Sequence, residues 1–208
     1  ASSQSYNSLG QTGLITIPSA EIHDEQSVYF TFNRSNFIKL GTVTITPFDW
    51  MEASYFYYRP DDLFWGATKG LYLDKGFNVK FSYKPKNILL PRIAIGLDDF
   101  AGTGQFTREY IITTYDFKSL KFTSGLGWGK YVGESSIKNP LSIFSEEFTN
   151  REKFDFGKGG TLSSDIWFKG PATPLIGLEY KLKNIKNTTI KIERNPYDYF
   201  KFACCGEE

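Results

Sequence analysis

From Gln26 onward the chain runs in short stretches where apolar and polar residues alternate, separated by clusters of turn-forming residues. Side chains of an extended strand point alternately to its two faces, so this period of two predicts strands with one apolar and one polar side. Gly76 to Tyr83 is the clearest case: Phe77, Val79, Phe81 and Tyr83 fall on one side, and Asn78, Lys80 and Ser82 on the other. Similar runs occupy Ser27 to Asn33, Lys39 to Thr46, Met51 to Arg59, Arg92 to Asp99, Glu109 to Tyr115, Leu120 to Trp128 and Leu175 to Leu182, with a shorter one around Ile190 and Ile192. The breaks at Arg34-Ser35-Asn36, Lys84-Pro85-Lys86-Asn87, Asp116-Phe117-Lys118-Ser119 and Lys183-Asn184-Ile185-Lys186-Asn187 read as hairpin turns. No helical period of useful length interrupts them. The prediction is an all-β, antiparallel up-and-down meander.

Two regions stand apart from the meander. Residues 1–25 form an N-terminal leader with Gln11 to Pro18 as an apolar lead-in, and residues 26–208 form the sheet domain. Within that domain a long loop covers about 131–161, where Asn139-Pro140 is expected to cap a short helical piece carrying Leu141, Phe144 and Phe148. Pro60 to Gly70 makes a second sizeable loop.

Composition narrows the picture. The 13 Tyr, 19 Phe and 4 Trp favour strands. Twenty-four basic against 23 acidic residues give a net charge of +1, which leaves no electrostatic footprint for nucleic acid and no polybasic anchor. No stretch approaches the roughly 18 apolar residues of a membrane-spanning helix. The two cysteines, Cys204 and Cys205, are adjacent and too close for a relaxed disulfide. The start at Ala1-Ser2-Ser3-Gln4-Ser5 has the small, polar look of a mature N-terminus after cleavage.

A meander with two unlike faces has two solutions. A soluble sandwich or lipocalin-like barrel turns its apolar face inward, whereas a transmembrane barrel turns it to lipid and keeps polar residues and glycines inside. Alternation alone does not choose. Aromatic residues at run ends (Tyr57, Tyr58, Tyr83, Tyr115, Trp128, Tyr180), run lengths near the 9 to 11 residues of a tilted spanning strand, and short turns alternating with longer loops lean toward the membrane version. The expectation is a transmembrane β-barrel of roughly 10–12 strands, complete in itself or part of a larger one.

Several segments also carry a resemblance. They are Gly10-Gln11-Thr12-Gly13-Leu14-Ile15 with Pro18-Ser19-Ala20; Asp74-Lys75-Gly76-Phe77-Asn78-Val79-Lys80; Ala94 through Gly104 with Glu109-Tyr110; Gly125-Leu126-Gly127-Trp128-Gly129; and Trp167-Phe168-Lys169-Gly170-Pro171 with Gly177-Leu178-Glu179-Tyr180. In this order, over most of residues 10–200, they resemble the YjbH family of outer-membrane proteins associated with exopolysaccharide and capsule production. The resemblance implies a barrel in the bacterial outer membrane that serves the making or export of a surface polysaccharide without a catalytic motif, as a conduit wall or as a scaffold for export partners. Its partners would be outer-membrane lipid, polysaccharide and periplasmic export proteins. Family members are often lipoproteins and usually much longer; this chain has no cysteine at its start to lipidate, so a fragment of a larger barrel is one expectation.

The candidate chemistry is thin. Asp98 and Asp99 adjoin at a strand end, with Arg92 and Arg108 near them in sequence and Glu109 after the next turn. A glycosidase needs two carboxyl groups about 5 to 10 Å apart, and successive strand residues face opposite sides. The structural expectation is therefore Asp98 facing the lumen beside Arg92, and Asp99 opening a turn through hydrogen bonds to its backbone. A lumenal ligand site using Arg92, Asp98, Asp99, Arg108 and Glu109 is the functional counterpart. Tyr57 and Trp65, with Tyr55, Phe56, Tyr58 and Phe64, would make a sugar-stacking platform beside Asp61 and Asp62, against a bland reading as an interfacial girdle. Gly125-Leu126-Gly127-Trp128-Gly129-Lys130 matches neither nucleotide-loop spacing; alternate glycines instead empty one strand face for a crowded lumen or a plug. The single histidine, His23, is a poor start for a metal site or a catalytic triad and reads as part of a solvated loop. No cofactor, metal or enzymatic activity is expected. The competing reading is a soluble, secreted carbohydrate-binding β-protein using the same aromatic residues.

Overall fold

The computed structural model describes residues 5–34, 38–60, 73–87, 89–102, 104, 106–133, 137–152, 162, 164–186, 188–195 and 197. Among them are nine strands: β1 (Ser27–Arg34), β2 (Ile38–Phe48), β3 (Met51–Pro60), β4 (Asp74–Tyr83), β5 (Arg92–Asp98), β6 (Arg108–Phe117), β7 (Leu120–Trp128), β8 (Thr173–Lys181) and β9 (Thr189–Arg194). Each pairs antiparallel with the next in a single sheet, in chain order. The meander is as the alternation predicts, but with nine strands in place of ten to twelve. The lead-in adds none, making only isolated bridges between Tyr6 and Thr12 and between Gly13 and Pro18.

Among the described residues the expected closed barrel is not formed. β1 and β9 are the two edges of the sheet. In an antiparallel meander the first and ninth strands run in the same direction, so no antiparallel ladder can join them.

Burial separates the two faces along every strand. In β4, Asp74, Gly76, Asn78 and Lys80 are buried, while Phe77 and Phe81 are exposed. Elsewhere Glu52, Arg108 and Asp98 are at most 2% accessible, yet Phe30 is 79%, Phe32 72% and Ile192 64% accessible. The polar face is thus the buried one, and the apolar face is outside, the reverse of a water-soluble sandwich.

What buries the polar face is residues 5–24. This segment touches the inner side of every strand from β1, where Asn33 donates to the Ser8 carbonyl at 3.0 Å, to β9, where Glu193 accepts from Thr16. The contacts require a curled sheet. Neighbouring residues Thr12 and Gly13 are about 3.8 Å apart, yet their carbonyls are bonded by Lys80 of β4 and Lys191 of β9. Those strands are five spacings apart in the sheet order, about 24 Å if the sheet were flat. Two lysine side chains do not close that difference, so the strands must wrap around the segment.

Apolar residues of the segment fill the rest of the interior. Leu14, Ile17 and Ala20 pack with Ala94, Tyr110, Ile112, Val132 and Leu175, and Leu9 packs with Leu40, Phe56, Tyr58, Phe106 and Tyr131. Gly10 allows a close approach: its φ of 79° is in the left-handed region, and a Cβ there would lie 2.6 Å from the Thr42 Cβ. Gly177 makes room for the segment in the same way, since a Cβ there would overlap the Leu14 side chain, whereas the alternate glycines Gly125, Gly127 and Gly129 do not face it: a Cβ on them would meet Ile111 and Ile112, Val132 and Leu175, and Thr107.

All the described hairpins at one end of the sheet are short, and the opposite end carries the longer connections. The longest, between β7 and β8, contains single 3-10 turns at Lys130–Val132, Pro140–Ile143, Glu146–Phe148 and Ser164–Ile166. Asn139 caps the second as expected, its side chain accepting from the Leu141 N–H at 3.0 Å.

Candidate functional site

The inner face presents charged residues at alternate strand positions, and the segment inside pairs its backbone with itself in isolated bridges and turns that leave further groups to be satisfied. Each supplies what the other lacks. Glu52 of β3 accepts from the Thr12 N–H at 3.0 Å and from the Thr12 hydroxyl, while Lys80 of β4 donates to the Thr12 carbonyl and pairs with Glu52 at 2.9 Å. Lys191 of β9 donates to the carbonyls of Gly13 and Leu14 at 3.2 and 3.0 Å. Glu193 receives three successive N–H groups, from Ile15, Thr16 and Ile17, at 2.9–3.2 Å. At the far end Lys121 of β7 holds both oxygens of Glu21, at 2.6 and 2.8 Å.

The centre of this network is Asp98 with Arg108. Directly opposite in the β5–β6 ladder, they meet through Arg108 Nε and Nη2, both 2.7 Å from Asp98 Oδ2. Gln11 donates to Asp98 Oδ1 at 2.6 Å, and Arg108 Nη1 donates to the Thr16 carbonyl at 3.0 Å. The guanidinium also lies 5.1 Å from the Tyr131 ring centre and 5.6 Å from that of Tyr110. Both side chains are nearly inaccessible to solvent. Paired, hydrogen-bonded and desolvated charges of this kind fix a geometry more than they add net stability.

The expected partner Arg92 is not there. It begins β5, six residues and so about 20 Å from Asp98 along the strand. Its place is taken by Arg108, which the hairpin brings opposite.

Asp99 does open a turn, but it is not on the outer face. β5 ends at Asp98 and Asp99 has a φ of 53°, which breaks the alternation and leaves it buried. Its N–H donates to Asn78 Oδ1 at 2.9 Å, and its Oδ2 accepts from the Phe106 N–H at 3.1 Å. Oδ1 is buried without a hydrogen-bond partner among the described residues. Burial, reinforced by the neighbouring carboxylates of Asp74 and Asp98, pushes the Asp99 carboxyl up to about 8.

Glu109 is on the face opposite Asp98 and is not lumenal. It is covered by the long β7–β8 connection, with Arg151 gripping both of its oxygens at 2.5 and 2.9 Å and the Phe168 N–H at 3.1 Å. Asp98 and Glu109 therefore cannot act on one ligand. Tyr57 stands 46% accessible on the outer face with Tyr55, whereas Phe56 and Tyr58 point inward and are buried. Strand alternation thus splits the supposed sugar platform. Trp65, with Asp61, Asp62 and Phe64, lies outside the described residues. His23 is half-buried, its ring 4.3 Å from Tyr6 and 4.7 Å from Tyr29, and burial lowers its pKa.

Glu52, Lys80, Lys121, Lys191, Glu193 and Gln11 are the site residues that sequence reasoning did not single out. A signal was present: Lys80 and Glu52 each occupy the polar register of a strand between two apolar neighbours, and Glu193 follows Ile192 in the same register. Their counterparts in the leader are backbone groups, which a sequence does not mark.

These features define a class: a plugged, inside-out antiparallel sheet in which an N-terminal segment is bound by charged side chains of the wall. A profile of the YjbH family, described as exopolysaccharide biosynthesis protein YbjH, matches residues 5–203, a range that takes in both plug and wall, and the chain belongs to that family. It is 29% identical over 185 residues to the uncharacterized lipoprotein YjbH of Escherichia coli (strain K12). The match covers 85% of this chain and 26% of the relative, so the chain spans about a quarter of that protein's length. No solved structure matches it.

Proposed function

We propose that this chain is part of the wall of a β-barrel in the bacterial outer membrane, serving exopolysaccharide biosynthesis or export as a non-catalytic, plugged scaffold. The observation that carries the reading is the exposed apolar face: Phe30, Phe32, Phe77, Ile95, Ile176 and Ile192 stand out from the sheet while its charged face is buried. In water such a surface favours aggregation, and against lipid it is the stable arrangement. Membership of an exopolysaccharide biosynthesis family supports the process assigned. The acidic candidates support a scaffold over an enzyme, because Asp98 and Glu109 are each committed to an arginine. Its partners on this reading are outer-membrane lipid around it, and polysaccharide and periplasmic export proteins at its ends; nucleic acid has no place.

Membrane fractionation combined with gel mobility of unheated and boiled samples tests the assignment. Recovery in the outer membrane is expected, together with a detergent-resistant, heat-sensitive mobility. Val79→Arg, on the outer face between Ala53 and Leu97, should cost about 2 to 4 kcal/mol or block assembly if that face meets the bilayer midplane. A water-soluble monomer, unchanged by Val79→Arg, would overturn the reading in favour of a secreted binding protein.

A further inference from the structure

The three short turns between β4 and β9 carry an unbalanced charge. Lys84 and Lys86 sit on the β4–β5 turn, Lys118 on β6–β7, and Lys181, Lys183 and Lys186 at β8–β9, all exposed. Asp116 is the one described acid among these turns, and it leans toward Lys121 at 3.8 Å. In a chain whose total charge is +1, this is a marked local excess.

The excess is sharpest at a cleft between the β6–β7 and β8–β9 turns. Ser119, Lys181, Lys183, Ile185 and Lys186 line it. The two turns are tied by the Lys181 N–H, which donates to the Ser119 carbonyl at 2.8 Å. Among the described residues none of the three ammonium groups has an ion-pair partner. Three like charges around one cleft repel each other and are relieved by an anion.

Apolar groups edge the same cleft. Ile185 is 56% and Phe117 57% accessible, and the outer-face residue Tyr180 begins immediately above. A soluble anion gives such side chains nothing to contact. A membrane surface supplies both a headgroup charge for lysine and an acyl boundary for Ile, Phe and Tyr.

We infer that this cleft binds the anionic phosphate headgroup of a phospholipid at the edge of the bilayer, with Lys181, Lys183 and Lys186 as its ligands. The inference rests on the reading of the outer face as lipid-facing, and it adds a specific lipid site to that face.

The test is native mass spectrometry of the chain released from nanodiscs of phosphatidylcholine alone or mixed with phosphatidylglycerol. The parent should retain phosphatidylglycerol over phosphatidylcholine, with a preference on the order of tenfold or more for three lysines at a membrane surface. Lys181→Gln/Lys183→Gln/Lys186→Gln should lose that preference, the corresponding triple arginine variant should keep it, and Lys75→Gln/Lys138→Gln at the opposite end should leave it unchanged. Incorporation into both nanodiscs with no preference, or equal loss in the opposite-end variant, would overturn the site and leave the membrane reading standing. Failure to enter either nanodisc would overturn the membrane reading itself. Displacement of the lipid by soluble inorganic phosphate or an acidic polysaccharide at matched ionic strength would show the cleft to be a site for a free anion and refute the lipid assignment.

Discussion

The two faces of this sheet use the same backbone in opposite ways. On the inner face charges are dry: Lys80, Glu52, Arg108 and Asp98 are almost wholly inaccessible, and each has at least one named partner. On the outer face large apolar side chains stand exposed, with contacts mainly to one another, such as Phe48 stacked on Trp50 at 5.0 Å and Tyr55 near Phe77 at 5.2 Å. Inside, these charged groups each hold particular partners, so the geometry is specified residue by residue. Outside, only the apolar character and area matter. Substitutions should therefore be felt very differently on the two sides.

The largest difference is expected at the centre of the inner face. Arg108→Met leaves Asp98 buried without its counter-ion and frees the Thr16 carbonyl, which should cost about 3 to 5 kcal/mol. Urea unfolding in detergent, followed by tryptophan fluorescence, reads this directly. Adding Asp98→Leu to that variant should recover part of the loss, since the uncompensated charge is then gone. A loss below about 1 kcal/mol in the single variant would mean that the plug does not depend on this pair.

A second contrast exists within the inner face, between Asp98 and Asp99. Asp98 has an arginine, whereas Asp99 accepts only from backbone and has one oxygen without a partner among the described residues. Burial raises the Asp99 carboxyl from 3.8 to about 8, so the folded chain holds a proton that the unfolded chain releases near pH 4. The folded state binds more protons across that window, so stability falls as pH rises from about 4 to about 8 and is level above it. The change should be on the order of a few kcal/mol, and Asp99→Asn should flatten it. Unfolding midpoints that rise over the same interval would contradict the protonated assignment.

The sequence made the strands and hairpins legible because strand alternation is local. Phe77, Val79 and Phe81 against Asn78 and Lys80 need no knowledge of the rest of the chain. It also marked Asn139-Pro140 as a cap, but the alternate glycines Gly125, Gly127 and Gly129, read as space for a crowded lumen or a plug, border other parts of the wall and its connections and not residues 5–24. What it did not disclose is long-range. Arg92 is closer to Asp98 in sequence than Arg108 is, yet the hairpin register decides the pairing. The role of residues 5–24 depends on carbonyl and amide groups of Thr12 to Ile17, which carry no signature in residue type. Nor does alternation state how many strands a sheet needs before its edges meet, and the odd count among the described residues leaves β1 and β9 unjoined.

The smallest effect offers the cleanest comparison, because one chemical change can be made on each side. Thr44 is inaccessible on the inner face, and its hydroxyl donates to the Gly10 carbonyl at 2.7 Å. Thr113, on the outer face of β6, donates to the Ser124 carbonyl at 3.0 Å. Replacing threonine by valine keeps the shape and removes one hydroxyl. Thr44→Val strands a buried carbonyl of the plug and should cost about 1 to 3 kcal/mol. Thr113→Val leaves Ser124 in its strand ladder and should stay within about 0.5 kcal/mol of the parent. On a lipid-facing surface its sign should even favour valine, since a hydroxyl gains nothing from hydrocarbon. Equal losses in the two variants, measured by the same urea titration, would mean that the outer face is as tightly specified as the inner one, and the division between a dry polar interior and an apolar exterior would have to be abandoned.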